Sequence, residues 1–176
     1  MPDPILVDTD MLMNTDQTVR YQLLYLLNGG NAHMSFDDAA ARLSLDQLNA
    51  FPPNVPYRLW HVIEHIRICQ WDILEFTRNP AHVSPSFPDG LWPDRGEMAD
   101  QARWDRVLAE FRADLDALKA MIEDESADLY SDLPHAAGYN ILREILVVAD
   151  HNAYHLGELA VLRQVMAAWP AGRIGV

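Results

Sequence analysis

The sequence contains a single cysteine, Cys69, which excludes a disulfide within the chain. A chain of 176 residues can bury an apolar core without cross-links, and we expect one domain over residues 1–176. The first residues also lack the basic start and apolar stretch of a secretory signal. We therefore expect a cytoplasmic protein, with residues 1–13 as a loose segment before the first helix.

Basic residues are scarce, with 13 Lys and Arg against 26 Asp and Glu and a formal net charge of −13. Binding to a phosphate backbone depends on Lys and Arg, so this balance argues against nucleic acid as a partner. Apolar runs approaching the roughly 20 residues that span a bilayer are also missing. We expect neither nucleic acid nor a membrane as a partner.

The alternation of polar and apolar residues that is typical of a half-buried strand is absent, whereas helical periodicity recurs in four stretches. Thr15 is the predicted N-cap of the first helix, and Asn140 is the predicted N-cap of the fourth. The predicted helices cover 15 to 28, 57 to about 77, about 98 to 122, and 140 to just before Trp169. Four amphipathic helices predict an all-α fold, a four-helix bundle.

The connections between these helices are long, roughly residues 29 to 56 and 79 to 97, and can cross the bundle. Capping signals at Ser35 and Ser44 predict short helical turns in the first connection. The second connection holds four prolines, which exclude regular structure, and three large apolar residues that predict a loop packed down as a lid over a cleft. Those residues are Phe87, Leu91 and Trp92.

Two histidines, His151 and His155, lie one turn apart on the inward side of the fourth helix, so both imidazoles can reach one ion or one substrate. The alternative is a pair of partly buried imidazoles that hydrogen-bond neighbouring helices. On the second helix His65 faces the apolar row more closely than His61. Three imidazoles from two helices suit zinc, nickel, copper or iron(II), and leave a coordination position open.

Three segments resemble the DinB-like (DinB/YfiT-like) superfamily, and the resemblance extends from the first helix to Met166. The segments are 59 to 76, LWHVIEHIRICQWDILEF; 79 to 85, NPAHVSP; and 142 to 158, LREILVVADHNAYHLGE. The resemblance implies a four-helix bundle that holds Zn²⁺ or Ni²⁺ on His65, His151 and His155. It also implies a homodimer.

Some members of this superfamily are S-transferases or isomerases that use low-molecular-weight thiols. The resemblance therefore favours a metal-dependent enzyme that transfers such a thiol to a small-molecule substrate. A metal-dependent hydrolase is the alternative, and a non-catalytic metal-binding scaffold is the competing hypothesis.

Several acidic residues are spaced so that a carboxylate could accept the free N–H of a ligand histidine. They are Asp72, Glu144, Asp150 and Glu158. Asp72 is preferred because it lies two turns after His65 on nearly the same side. His61 is expected to be an alternative ligand, a base behind the ligands or a surface residue, and Cys69 is better explained as a core thiol than as a ligand. Tyr154 is interpreted as a packing residue in preference to a substrate contact.

Overall fold

The computed structural model describes residues 13–170. Within that range the chain forms six α-helices, one 3₁₀ turn at Asp89–Leu91 and no strand. The helices are α1 (Thr15–Asn28), α2 (Phe36–Ala40), α3 (Leu45–Asn49), α4 (Leu59–Arg78), α5 (Gln101–Glu123) and α6 (Ile141–Val165). The loose segment predicted over residues 1–13 falls, apart from Met13, outside the described residues.

The ends of the helices follow the capping chemistry of the sequence, with two corrections. Asn140 caps α6 as predicted, since its side-chain oxygen accepts from the Arg143 N–H at 2.8 Å. The cap of α1 is Asn14 and not Thr15, because the Asn14 side chain accepts from the Gln17 N–H at 2.9 Å. The third long helix begins at Gln101, later than predicted, because Asp100 caps it.

The four long helices pack as the predicted bundle. Helix α4 packs against α5 and α6, while α1 packs against the same two helices from the other side of the bundle. The short helices α2 and α3 cover α6 and α4 respectively. In residues 13–170 none of the helices is long and apolar enough to cross a membrane.

The apolar core is divided into two clusters. The first surrounds Ile63 and Phe111, and the second surrounds Leu118 and Ile145. Two buried amides, Gln70 on α4 and Asn152 on α6, hydrogen-bond each other at 2.9 Å. Gln70 also donates to the carbonyl oxygen of Phe111 at 2.8 Å, so this polar link joins α4, α5 and α6.

Candidate metal centre

Helices α4 and α6 bring three histidines, His65, His151 and His155, to one point of their interface. The Nε2 atom of His65 lies 3.2 Å from Nε2 of His155 and 3.2 Å from Nε2 of His151. One nitrogen from each of the three rings lies within 4.8 Å of the other two. His65 and His155 are buried, and His151 is partly exposed. The three nitrogens are therefore close enough to hold a single ion.

In His65 and His155, the hydrogen bond made by Nδ1 determines which tautomer is present. His65 Nδ1 lies 2.7 Å from the Leu91 carbonyl oxygen, and His155 Nδ1 lies 2.7 Å from a Glu158 carboxylate oxygen. A carbonyl and a carboxylate accept only, so both Nδ1 atoms carry the proton. In the neutral rings both Nε2 atoms then present bare lone pairs to each other. Lone pairs at this distance repel unless a cation or a proton lies between them.

The pKa values favour the neutral rings. Burial lowers the pKa of His65 below its usual value, although the Leu91 carbonyl opposes this shift. Burial, with His155 and His65 close by, lowers the pKa of His151 to about 4. At neutral pH these rings keep their lone pairs free, which is the form that a metal ion requires.

The donor set fits a divalent transition metal. Zinc–nitrogen bonds are about 2.0–2.1 Å long, and two nitrogens on a tetrahedral ion are then about 3.3 Å apart. The observed separations of 3.2 Å from His65 to the other two rings match this spacing. Imidazole nitrogen is a ligand for zinc, nickel, copper and iron(II), and the residues alone do not select among these metals.

Glu158 connects the centre to a tyrosine that precedes α4. Its carboxylate accepts from His155 and from the Tyr57 hydroxyl at the same time. Burial raises the pKa of Glu158, but these two hydrogen bonds outweigh it and leave the pKa lowered. The hydrogen bond to Glu158 raises the pKa of Tyr57 to about 12. Glu158 therefore stays ionised, and Tyr57 stays a hydrogen-bond donor.

A model of the DinB superfamily matches residues 31–159, which include the three histidines and the loop that contacts them. The chain belongs to the DinB superfamily. No curated protein and no solved structure gives a significant match. Metal association is typical of the superfamily, and the converging imidazoles of this member agree with it.

The proline-rich loop of this DinB superfamily member packs against the histidines, as a lid would. The Trp92 ring stacks on His65 with centroids 3.8 Å apart and planes 6° from parallel. The Leu91 carbonyl fixes the His65 tautomer, as described above. Beside these contacts lies a cleft of about 460 Å³ whose walls include Tyr57, Trp92 and Arg95.

His61 has a different role from the three clustered histidines. Its Nδ1 accepts from the Arg58 N–H at 3.0 Å, which satisfies a free donor at the start of α4. Its Nε2 then donates to the Asp94 carbonyl at 3.1 Å. His61 is buried, so it is not a surface residue. Both nitrogens are already used, and the ring fastens the lid to α4.

Among the acidic candidates, only Glu158 is shown beside a clustered histidine. Asp72 accepts instead from His82 at 2.7 Å, so the preference for Asp72 is not supported. Glu144 is buried and pairs with Arg143. Asp150 is exposed on α6.

Cys69 lies beside the centre without joining it. Its sulfur is 3.5 Å from His65 Nδ1 and 3.8 Å from His65 Nε2. Cys69 is not among the residues that could share an ion in the described chain. Burial, with a smaller contribution from Asp72, raises the pKa of the thiol to about 12, so the sulfur stays protonated.

Tyr154 is exposed, which argues against a role in core packing.

Three contacts at the centre were missed by the sequence analysis: the Leu91 carbonyl, the stacked ring of Trp92 and the Tyr57 hydroxyl. The carbonyl carries no residue-type signal. Trp92 was predicted to belong to a loop that packs over a cleft, and it does line one, but an aperiodic loop gives no angular information about which side chain it contacts. Tyr57 precedes its helix, so a helical wheel does not place it either.

Proposed function

We propose that this protein is a divalent-metal-dependent enzyme that transfers a low-molecular-weight thiol to a small electrophilic substrate. His65, His151 and His155 would hold Zn²⁺ or Ni²⁺. The observation that carries the proposal is the convergence of three imidazole nitrogens, with Nε2 of His65 3.2 Å from Nε2 of His155 and 3.2 Å from Nε2 of His151. A bound cation would be ligated by all three.

The residues around the histidines have defined tasks in this proposal. Glu158 and the Leu91 carbonyl hold two rings in the ligating tautomer, and the Glu158 charge makes the His155 nitrogen more basic. Three protein ligands would leave one coordination position of a divalent ion open, and a thiol or water bound in that position would have a lowered pKa. Trp92 covers one face of His65 and limits access of water to that side.

The reactive thiol comes from outside the chain. Cys69 is the only cysteine, and its buried sulfur has a pKa of about 12, so it supplies no thiolate at neutral pH. Family resemblance favours thiol transfer, with hydrolysis by an activated water as the alternative. We also place the protein in the cytoplasm, where low-molecular-weight thiols are kept reduced.

The test is to assay a panel of low-molecular-weight thiols with a chromogenic electrophile, using zinc-loaded, nickel-loaded and metal-free protein. We expect turnover only with metal, its loss in His155→Ala, and its retention in His135→Ala, which changes an exposed histidine whose ring contacts the Phe76 carbonyl near the end of α4. Turnover in metal-free protein would exclude the proposal. If wild type neither transfers a thiol to the electrophile nor hydrolyses it, and His155→Ala loses only thermal stability, the result supports the scaffold hypothesis with a structural metal.

We further propose that the protein forms a homodimer through α6. The exposed face of this helix carries Leu146 and Val147 between Arg143 and Asp150, and these residues border one shallow groove. In an antiparallel pair with its twofold axis between Leu146 and Val147, Arg143 of one copy faces Asp150 of the other. This charge complementarity supports a second copy of the chain as the partner.

A further inference from the structure

The two carboxylate oxygens of Glu158 have different partners. Oε2 lies 2.7 Å from His155 Nδ1, and Oε1 accepts from the Tyr57 hydroxyl. His155 and Glu158 both belong to α6, so the Tyr57 hydroxyl is the one hydrogen-bond donor of the described chain that fixes this carboxylate from another part of the fold. The Glu158 side chain is 21% exposed, and its rotatable bonds allow it to turn towards water if that hydrogen bond is lost.

The Tyr57 hydroxyl is held in place by the segment that carries it. Tyr57 directly precedes Arg58, the N-cap residue of α4. The Arg58 side chain donates to the carbonyl oxygens of Asn49 at 2.8 Å and Arg95 at 2.7 Å. The Tyr57 ring is half-buried and packs against the Trp92 ring, with centroids 5.7 Å apart. The hydroxyl therefore has a fixed position from which it can orient a partner on α6.

The orientation of the Glu158 carboxylate matters for the candidate metal centre. A carboxylate at Nδ1 keeps the proton of His155 on that nitrogen, which leaves Nε2 as the ligating nitrogen. Nε2 is the atom that lies 3.2 Å from Nε2 of His65. If Glu158 turned to solvent, the His155 ring would exchange between its two neutral tautomers, and only one of them presents a lone pair at this point.

We propose that Tyr57 is a positioning residue of the metal centre, which holds Glu158 against His155 and so keeps His155 in the ligating tautomer. Tyr57 hydrogen-bonds none of the three clustered histidines within the described chain, so it acts through Glu158. This role rests on the function proposed above, since it requires that the three histidines bind the ion. It adds a residue from outside α4 and α6 to the centre.

A double-mutant cycle tests this role through zinc affinity, measured by competition with a chromophoric chelator. Tyr57→Phe keeps the ring that packs on Trp92 and removes only the hydroxyl. We expect it to weaken zinc binding about five-fold, below the roughly ten-fold effect of losing a direct partner of a ligand. In a Glu158→Ala background the same change should have no effect, because the hydroxyl has lost its acceptor. Tyr130→Phe, which removes an exposed hydroxyl that donates to Asp16, is the control and should bind zinc as wild type does.

Nitrogen NMR of histidine-labelled, metal-free protein provides a second readout that needs neither metal nor turnover. The ring nitrogens of His155, assigned by comparison with His155→Ala, distinguish a protonated Nδ1 from a protonated Nε2. Wild type and Tyr130→Phe should show the proton on Nδ1, whereas Tyr57→Phe should show a mixture of the two tautomers. Should Glu158→Ala fail to fold, this comparison still decides the question.

Three results would each overturn the role of Tyr57. They are unchanged zinc affinity in Tyr57→Phe, an equal loss of affinity in the Glu158→Ala background, and an unchanged His155 tautomer in Tyr57→Phe. The second result would mean that the hydroxyl acts on the fold and not on the carboxylate. All three leave thiol transfer at the histidines intact. Zinc binding that follows the cycle in a protein without turnover would instead exclude the transferase and retain the role of Tyr57.

Discussion

Glu158 contacts His155 at Nδ1 and thereby controls the basicity of Nε2, the nitrogen that faces the other two rings. It accepts the Nδ1 proton of His155 and the hydroxyl proton of Tyr57. A neutral amide in its place can still accept the His155 proton, but it no longer supplies the negative charge that makes the ring more basic. We predict that Glu158→Gln weakens metal binding about ten-fold, a typical effect of losing such a partner.

Competition with a chromophoric chelator measures that affinity. Asp116→Asn is the matched control, because it removes an exposed carboxylate on α5 and should leave the affinity unchanged. Equal affinities for Glu158→Gln and wild type would show that the carboxylate does not act on the ligating ring.

The low pKa of His151 predicts a pH dependence of stability in the metal-free protein. The pKa is about 4 in the folded chain against an ordinary value of 6.5. Between these values the unfolded chain binds more protons than the folded chain, so the free energy of unfolding falls as the pH drops through this window. Above this pH window, the contribution of His151 to the free energy of unfolding is fully retained.

In His151→Gln the free energy of unfolding should fall less than in wild type when the pH drops from about 7 to about 5. Urea unfolding of the metal-free proteins at about pH 7 and about pH 5 measures it, with His135→Gln as the control. If His151→Gln loses as much stability on acidification as wild type, the neutral state of His151 in the folded chain is contradicted.

At the scale of elements, the lid over residues 79–96 is attached to α4 through Trp92, Leu91 and Asp94. We predict that Trp92→Ala speeds the loss of metal to excess chelator several-fold, because it uncovers one face of His65 and loosens the Leu91 contact. Val83→Ala is the control, since Val83 is an exposed apolar residue of the same loop. Equal rates of metal loss from both variants would mean that the loop does not shield the centre.

The elements show which parts of this fold the sequence could predict. The amphipathic periodicity of the four long helices and the caps at Ser35, Ser44 and Asn140 are local signals, and the structure confirms them. Periodicity alone did not distinguish Asn14 from Thr15 as the cap of α1, because both residue types can cap a helix.

Helical periodicity also could not show which carboxylate contacts a clustered histidine. Angular position around α4 favoured Asp72, but its partner His82 comes from the loop that follows the helix. Glu158 is three residues from His155, a spacing within reach on a helix, and this local signal was present in the sequence. Contacts made by the aperiodic lid could not be predicted, since no repeat fixes where its side chains point.

At the scale of the whole molecule, the proposed dimer predicts a sharp response to one charge. Asp150→Lys would place its new cation opposite Arg143 of the other copy at both ends of the α6 pair, so the variant should be monomeric. Wild type should have twice the 20.0 kDa mass of one chain. Asp116→Lys, the same charge change at an exposed position on α5, should remain dimeric. Sedimentation velocity measures all three, and a monomeric wild type would exclude this interface.

The central claim is that three histidines of this bundle bind one metal ion, and elemental analysis of protein purified without an affinity tag tests it most directly. Wild type and His135→Ala should contain close to one zinc or nickel ion per chain, and His151→Ala should contain almost none. The account is contradicted if wild type takes up no metal after incubation with zinc and nickel, or if His151→Ala retains the ion.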